Sequence, residues 1–251
     1  MSDPIPFNFF DKIVCLSFDP KRWDLCEQVF QEIGIKDRVI RYKGDNPLQE
    51  YINRGVIPEQ YDPNHIDVIH ARRGGCSLSH FNIIKMAKEN NFKNVLIFED
   101  DIINNVTSRE LQIQLDTAIK ELPSNWEIFY VTANPTHMHG HYPPVSNYSE
   151  NLCRVHAAHT THAIAINNNV FDEILENGAN MDTIIRWTET WVAIDTFYIK
   201  KIHCKGNTYM PKKLLINQRN CFSDIENCIR NNCDFIKQSY NLYEHLIKEP
   251  L

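Results

Sequence analysis

The 251 residues carry 26 Lys and Arg against 32 Asp and Glu, and the resulting charge of −6 excludes a protein held to nucleic acid by surplus positive charge. A hydrophobic content of 43% over this length supports a sizeable core, in one large α/β domain or two small ones, and excludes a disordered chain. The 8 Gly and 12 Pro are spread along the sequence, so collagen-like and low-complexity architectures are excluded too.

Residues 1–10 lack a basic stretch followed by an apolar one, so no secretory leader is expected. No uncharged apolar run reaches the roughly 18 residues of a membrane span. The expected compartment is therefore the cytoplasm, where the 8 Cys stay free thiols and the sequons at Asn105 and Asn147 carry no sugar. Four cysteines crowd into residues 204–233 without a Cys-x-x-Cys spacing, which reads as thiols rather than a zinc site.

Apolar runs alternate with amphipathic segments, the pattern of an α/β domain with a mixed, mostly parallel sheet. Residues 12–18 (KIVCLSF) read as a buried first strand. A helix follows over 24–33, with Leu25, Val29 and Ile33 on one stripe and Gly34 closing it. Residues 39–42 read as a second strand. Residues 43–73 contain Gly44, Pro47, Gly55, Pro58 and Pro63, which break every periodic run and predict a long surface excursion. Ser77 or Ser79 is placed to cap a helix running to Asn90, with Asn91 in the left-handed closing position. Residues 94–98 (NVLIF) form the clearest strand and end in three acids, Glu99, Asp100 and Asp101. Beyond them come a helix over 111–122, a strand over 127–133, a loop rich in His and Pro, and a strand over 162–167. A helix over 170–177, a second over 191–203, a short strand over 213–217 and terminal helices over 224–247 complete the chain. No linker divides it, so residues 1–251 are expected to form a single domain.

The acid triplet carries the strongest chemical signal. Open α/β sheets bind ligands at the carboxyl ends of their strands, and three adjacent carboxylates beside a core are costly without a compensating cation. Mg²⁺ or Mn²⁺ accepts carboxylate oxygens and leaves positions open for phosphate oxygens, so the triplet suggests a phosphate-bearing substrate. A solvated, acid-rich turn is the alternative. Ser17, Asp19 and Arg22 follow the first strand, where such domains hold base and ribose; turn and helix-cap chemistry explains them equally well. Arg72 and Arg73 precede Gly74 and Gly75, and those glycines allow close backbone approach to a ligand.

The triplet and its preceding helix read Gly75-Cys76-Ser77-Leu78-Ser79-His80-Phe81, then Asn94-Val95-Leu96-Ile97-Phe98-Glu99-Asp100-Asp101. That combination resembles glycosyltransferase family 25, the lipopolysaccharide and collagen galactosyltransferase family. Asp19-Pro20-Lys21-Arg22 is similar to the family's opening segment, and Thr160-Thr161-His162-Ala163 to a later strand. Ile194-Asp195-Thr196-Phe197 is similar to an Asp motif, and Gln218 with Ser223-Asp224-Ile225 to the family's close. The resemblance implies a glycosyltransferase A-type, Rossmann-like fold, with a nucleotide-sugar half over about 12–135 and an acceptor half over about 136–251. It also implies a UDP-hexose donor with Mn²⁺ or Mg²⁺. Asp101 would hold the metal, with Glu99 as a second ligand, and Asp100 would contact ribose or a metal-bound water. Gly75, His80 and Asp224 are carried over as donor-side contacts, and His162 as an acceptor- or donor-sugar contact.

The activity implied is metal-dependent, inverting transfer of galactose or glucose to a hydroxyl of a glycan or hydroxylysine-type acceptor. A Mg²⁺-dependent phosphoesterase acting on nucleotides and a non-catalytic carbohydrate-binding module are the alternatives. Inversion needs a general base; Asp195 is the first candidate, early in a helix whose dipole favours a carboxylate, and Glu189 the second. Trp187 and Trp191, spaced i, i+4, read as core packing before sugar platform. His137, His139 and His141 lie in a loop with no acid or Cys to complete a metal site. If residues 156–162 were one strand, His156 and His162 would share a face and His159 the other, so the three would not converge. His203 reads as a surface residue before a late metal ligand.

Overall fold

Strand β1 (Lys12–Leu16) sends Ile13 and Cys15 to one side and Val14 to the other, and all three are buried. That is the signature of a sheet covered on both faces. The computed structural model describes residues 6–137, 143–223, 225 and 228–248. After β1 come α1 (Pro20–Glu32), β2 (Val39–Tyr42), α2 (Pro47–Asn53), α3 (Ile66–Glu89), β3 (Asn94–Glu99), β4 (Ile102–Asn104), α4 (Ser108–Lys120) and β5 (Ile128–Tyr130). The chain continues through β6 (Asn134–Pro135), β7 (Val145–Asn147), β8 (Leu152–Val155), β9 (Ala158–His159), β10 (Ala163–Asn167), α5 (Phe171–Glu176), α6 (Ile184–Trp191) and α7 (Ile194–Lys201). It closes with β11 (Thr208–Pro211), β12 (Ile216–Gln218), β13 (Cys221–Ser223), β14 (Cys228–Arg230), α8 (Asn232–Leu242) and α9 (Glu244–Lys248).

Eight strands form the main sheet in the order β2-β1-β3-β10-β5-β11-β8-β7. Strands β10 and β8 run against the other six, so the sheet is mixed and mostly parallel. Val14, Val95, Ile97 and Ile164 face a layer that includes α3, α5, α6, α7 and α8, while Ile13, Leu96, Phe98 and Ala165 face α1 and α4. Leu16 lies opposite Glu99 in the β1–β3 register, which brings the carboxyl ends of two parallel strands together at one edge of the molecule. A separate pairing of β12 with β4 sets Gln218 opposite Ile102, one residue beyond the acid triplet.

Several elements depart from the sequence reading, each for a physical reason. The buried stripe of α1 is Cys26, Val29 and Phe30, continued by Ile33, and Leu25 is exposed; Pro20 starts the helix four residues earlier than periodicity places it, with Asp19 as its cap. The segment 43–73 is not a surface excursion, since it contains α2 and the first two turns of α3. Helix α3 is capped by His65 rather than by a serine. Ser77 and Ser79 sit inside it and donate to the carbonyls of Arg73 and Gly75, at 3.3 and 2.7 Å. Asn91 takes the expected left-handed conformation, φ 57°. The segment 156–162 is not one strand: β9 is short and Thr160 has φ 68°, so period-2 geometry fails across the three histidines. The expected helix over 191–203 is broken at Val192, φ 68°, and begins at Ile194. His203 is buried, with Nε2 3.1 Å from the Tyr130 hydroxyl, and is not a surface residue. Trp187 packs edge-on to Phe81 at 5.2 Å and joins the core.

Candidate active site

A cleft of about 420 Å³ opens where β1 and β3 end, bounded by Phe18 and Arg22 after β1, by Ala71, Arg72, Gly75 and Cys76 of α3, and by Gln218 and the β13 region opposite. The acid triplet forms its floor. Asp100 and Asp101 are buried, and the Arg22 guanidinium lies 2.5 Å from Asp100 and 3.8 Å from Asp101. Helix α1 supplies Arg22 from its first turn, where Pro20 and the Asp19 cap fix the helix start beside the strand ends. Gln218 reaches Asp101 from the other side, its Nε2 donating to both carboxylate oxygens at 3.3 and 3.4 Å. Burial pushes the Asp101 carboxyl up, Arg22 opposes that, the Asp100 charge adds to it, and the net position is about 6.

Glu99 points elsewhere. Its Oε1 accepts from the Thr161 hydroxyl at 2.6 Å, and its carboxylate lies with Cys76 Sγ and a His80 ring nitrogen, the three donor atoms all within 4.8 Å of one another. Burial and the Asp101 charge raise its carboxyl to about 8 against the Thr161 hydrogen bond. His80 is fully buried with neither ring nitrogen hydrogen-bonded, and burial pushes it down to about 4. Burial likewise lowers His162 to about 4; its ring Nδ1 meets the Thr160 hydroxyl at 3.1 Å and its carbonyl accepts the Glu99 N–H at 3.0 Å.

Asp195 sits in the first turn of α7, as the sequence predicts, but it is heavily committed. Oδ2 meets His159 Nδ1 at 3.1 Å and the Thr160 N–H at 3.2 Å, while Oδ1 accepts the Thr196 N–H at 2.7 Å. Burial opposes its ionisation, yet the His159 hydrogen bond and charge together with the backbone donors hold the carboxyl below its usual value. The left-handed turn at Thr160 aims this N–H at Asp195 while Thr161, next in sequence, bonds Glu99, so one bend links the two carboxylates.

The remaining sequence candidates divide clearly. Ser17 is buried and donates to the Asp19 carbonyl at 3.2 Å, and the Asp19 side chain caps α1 by accepting from Lys21 N–H at 2.8 Å. Neither is among the residues lining the cleft. Arg72 lines the cleft, whereas Arg73 does not. Gly74 and Gly75 lie inside α3 rather than in a ligand loop. A Cβ on Gly74 would come within 2.6 Å of Ile184 Cγ1, and one on Gly75 within 2.8 Å of the Asp45 carbonyl, so both permit close packing around the helix. Glu189 is exposed on α6 and is absent from the cleft lining. Asp224, His139 and His141 lie outside the described residues; His137 Nδ1 meets the Tyr243 hydroxyl at 2.8 Å. The histidines of 156–162 have separate partners, His156 with Ser146, His159 with Asp195 and His162 with Thr160. All cysteines among the described residues are free, and no described helix is long and apolar enough to cross a membrane.

Sequence reasoning gave no role to Cys76, Asp45 or Thr161. Asp45 is fixed by Tyr42 (2.9 Å), Asn82 (3.0 Å) and, through its own N–H, Ser79 (2.8 Å), and it lines the cleft beside α3. Only the packing of α2 onto α3 reveals it.

Residues 10–169, more than half of the chain, match the family model described as glycosyltransferase family 25 (LPS biosynthesis protein). A "Glycosyltransferase 25 family member" of Drosophila melanogaster is 36% identical over 87 residues, which are 33% of this chain and 14% of the fly protein. Among solved structures, a glycosyltransferase involved in the glycosylation of the major capsid of PBCV-1 overlays with TM-score 0.41 at 11% identity, covering 91% of this chain and 98% of that one. A mannose-1-phosphate geranyltransferase from Thermus thermophilus overlays with TM-score 0.37 at 9% identity, over 80% and 72%. Overlays of that size bear on neither substrate nor mechanism. The family match, with the Glu99-Asp100-Asp101 strand end inside it, is decisive: the chain belongs to glycosyltransferase family 25.

Proposed function

We propose that this chain is a divalent-metal-dependent hexosyltransferase that moves galactose or glucose from a UDP-sugar to a hydroxyl of a glycan or hydroxylysine-type acceptor, with inversion. The observation that carries the reading is the pair of buried carboxylates, Asp100 and Asp101, at the carboxyl end of β3 in a cleft that also contains Arg22. Their donor set fits Mn²⁺ or Mg²⁺: two hard carboxylates stand beside Gln218, whose Oε1 is buried without a hydrogen-bond partner. Bound there, the cation would neutralise diphosphate charge and so stabilise departing UDP. Arg22 is placed to exchange part of its contact with Asp100 for a donor phosphate oxygen, and Arg72 adds a second positive group on the α3 side. Glu99 faces Thr161 and α3, so the metal is assigned to Asp101 with Asp100.

Proton removal from the acceptor is assigned to Asp195 acting with His159. Three donors hold the Asp195 carboxylate ionised, which makes it a weak base by itself but a strong partner for an imidazolium. Asp195 would orient His159 through Nδ1, and the imidazole would take the hydroxyl proton. Asp195, His159 and Glu189 all stand outside the cleft lining, and Asp195 with His159 is preferred because the Thr160–Thr161 bend joins it to Glu99, which lines the cleft.

The test is UDP release from UDP-galactose and UDP-glucose, with and without Mn²⁺, in the presence and absence of sugar acceptors. The wild type is expected to release UDP only with the metal, and Asp101→Ala to lose both release and Mn²⁺-dependent UDP binding. Unchanged turnover in Asp101→Ala overturns the metal assignment. Phosphate release from nucleotides without sugar transfer would instead indicate a phosphoesterase, and UDP binding without turnover a carbohydrate-binding module.

A further inference from the structure

The Cys76, His80 and Glu99 donors are not absorbed by the proposed transfer. Cys76 and His80 stand at i and i+4 on α3, so they share one face of that helix. Glu99, at the end of β3, completes the set, and all three donor atoms lie within 4.8 Å of one another. His80 is fully buried, yet both ring nitrogens lack hydrogen-bond partners. A buried polar group left unpaired is unfavourable, so an imidazole with neither nitrogen paired asks for an explanation, and a bound ligand supplies one. Among the described residues, the Glu99 carboxylate accepts a hydrogen bond from Thr161 at Oε1 and from no other side chain.

We propose that Cys76 Sγ, a His80 ring nitrogen and a Glu99 carboxylate oxygen form a site for a thiophilic divalent cation of the zinc class, separate from the hard-cation position at Asp100 and Asp101. Sulfur, imidazole and carboxylate together are a donor set that zinc accepts and that Mg²⁺ does not favour. Binding displaces the thiol proton, and any proton on Glu99, to solvent, so the thiolate and carboxylate balance the charge of the cation. Three protein ligands would leave a fourth position for a water or another ligand, beside the cleft that Cys76 and Glu99 both line. A cation there would tie α3 to the end of β3 directly beside Asp100, and so hold the acid pair against the helix that carries Arg72. The site does not depend on sugar transfer, and its loading is read with no donor present.

The experiment is Co²⁺ titration of the metal-stripped full chain by absorption, with Zn K-edge X-ray absorption of the zinc-loaded wild type. One equivalent of Co²⁺ should give a thiolate charge-transfer band. That band should vanish in Cys76→Ser, and Co²⁺ should bind at least about 10-fold more weakly in His80→Asn and Glu99→Gln. It should persist in Cys221→Ser, which removes the other cysteine lining the cleft, and in Asp101→Asn, which removes the hard-cation ligand. The zinc spectrum should show one sulfur at about 2.3 Å with nitrogen and oxygen at about 2.0–2.2 Å. The wild-type spectrum needs no variant, so a zinc shell without sulfur overturns the proposal even where Cys76→Ser does not fold. A band that survives Cys76→Ser, binding unchanged in both His80→Asn and Glu99→Gln, or a zinc shell without sulfur overturns the proposal.

Discussion

Burial and the charge of Asp101 keep a proton on Glu99 up to about pH 8, well past the point where an exposed glutamate has lost it. The consequence for stability has a definite sign. Between the ordinary value of 4.5 and about 8 the folded chain binds more protons at this residue than the unfolded chain, so stability falls as pH rises. His80 and His162, lowered to about 4, work oppositely: their contribution is complete above 6.5 and is lost as pH falls from 6.5 toward 4. Asp101 changes its contribution only up to about 6. From pH 6.5 to 8 Glu99 therefore dominates among these four. Urea unfolding in chelator should show stability dropping by on the order of 2 kcal/mol across that interval, and Glu99→Gln should flatten the slope. A flat wild-type profile would mean that Glu99 ionises at an ordinary pH. At this scale the sequence was informative where residues are contiguous: it placed the three acids directly after an apolar strand, and the structure puts them at the end of β3 beside the cleft. It was silent on the direction each carboxylate takes, because Thr161 and Gln218, which orient Glu99 and Asp101, are 62 and 117 residues away.

Helix α3 positions both the cleft wall and the Cys76–His80 pair, and its glycines are the reason it fits. Gly in a helix interior costs roughly 0.5–1 kcal/mol relative to Ala. Here the missing side chains allow the Asp45 carbonyl and Pro47 to approach Gly75, and Ile184 of α6 to approach Gly74. Gly75→Ala should therefore destabilise instead of stabilising. The new Cβ, 2.8 Å from backbone oxygen that cannot swing aside, is expected to cost about 1–3 kcal/mol in chemical denaturation. Because Asp45 and Pro47 also line the cleft, UDP affinity should weaken in the same variant. A raised melting temperature would show that helix propensity outweighs packing. The same glycines explain why α3 was only half legible. Two consecutive glycines followed by two serines read locally as a loop and a cap, while tertiary contacts with Asp45 and Ile184 carry the helix through them. By contrast β3 and the αL closure at Asn91 follow from local signals alone, and both stand where the sequence places them.

Across the whole molecule, strands from distant parts of the chain interleave. Strand β10 lies between β3 and β5, and β11 lies between β5 and β8. The alternation of apolar runs made an α/β sheet with buried strands legible, but strand order depends on long-range pairings that no local pattern encodes. The cleft depends on the same interleaving, since Gln218 reaches Asp101 only because β12 pairs with β4. The family match ends at residue 169, before α5–α9 and β11–β14. A chain cut after Asn169 would lose β11 and leave the β8–β7 pair without its connection to β5. It would also uncover the sheet face that Ile174, Ile184, Phe197 and Ile236 bury. Such a chain should show no cooperative thermal transition by circular dichroism and no binding of UDP with Mn²⁺ by calorimetry, whereas the full chain is expected to show both. A sharp transition in the truncated chain would mean that residues 1–169 fold independently and that the later elements dock onto a finished domain. The interleaved sheet argues against that outcome, because β5 would lose its parallel neighbour and the layer that shields one face would be gone at the same time.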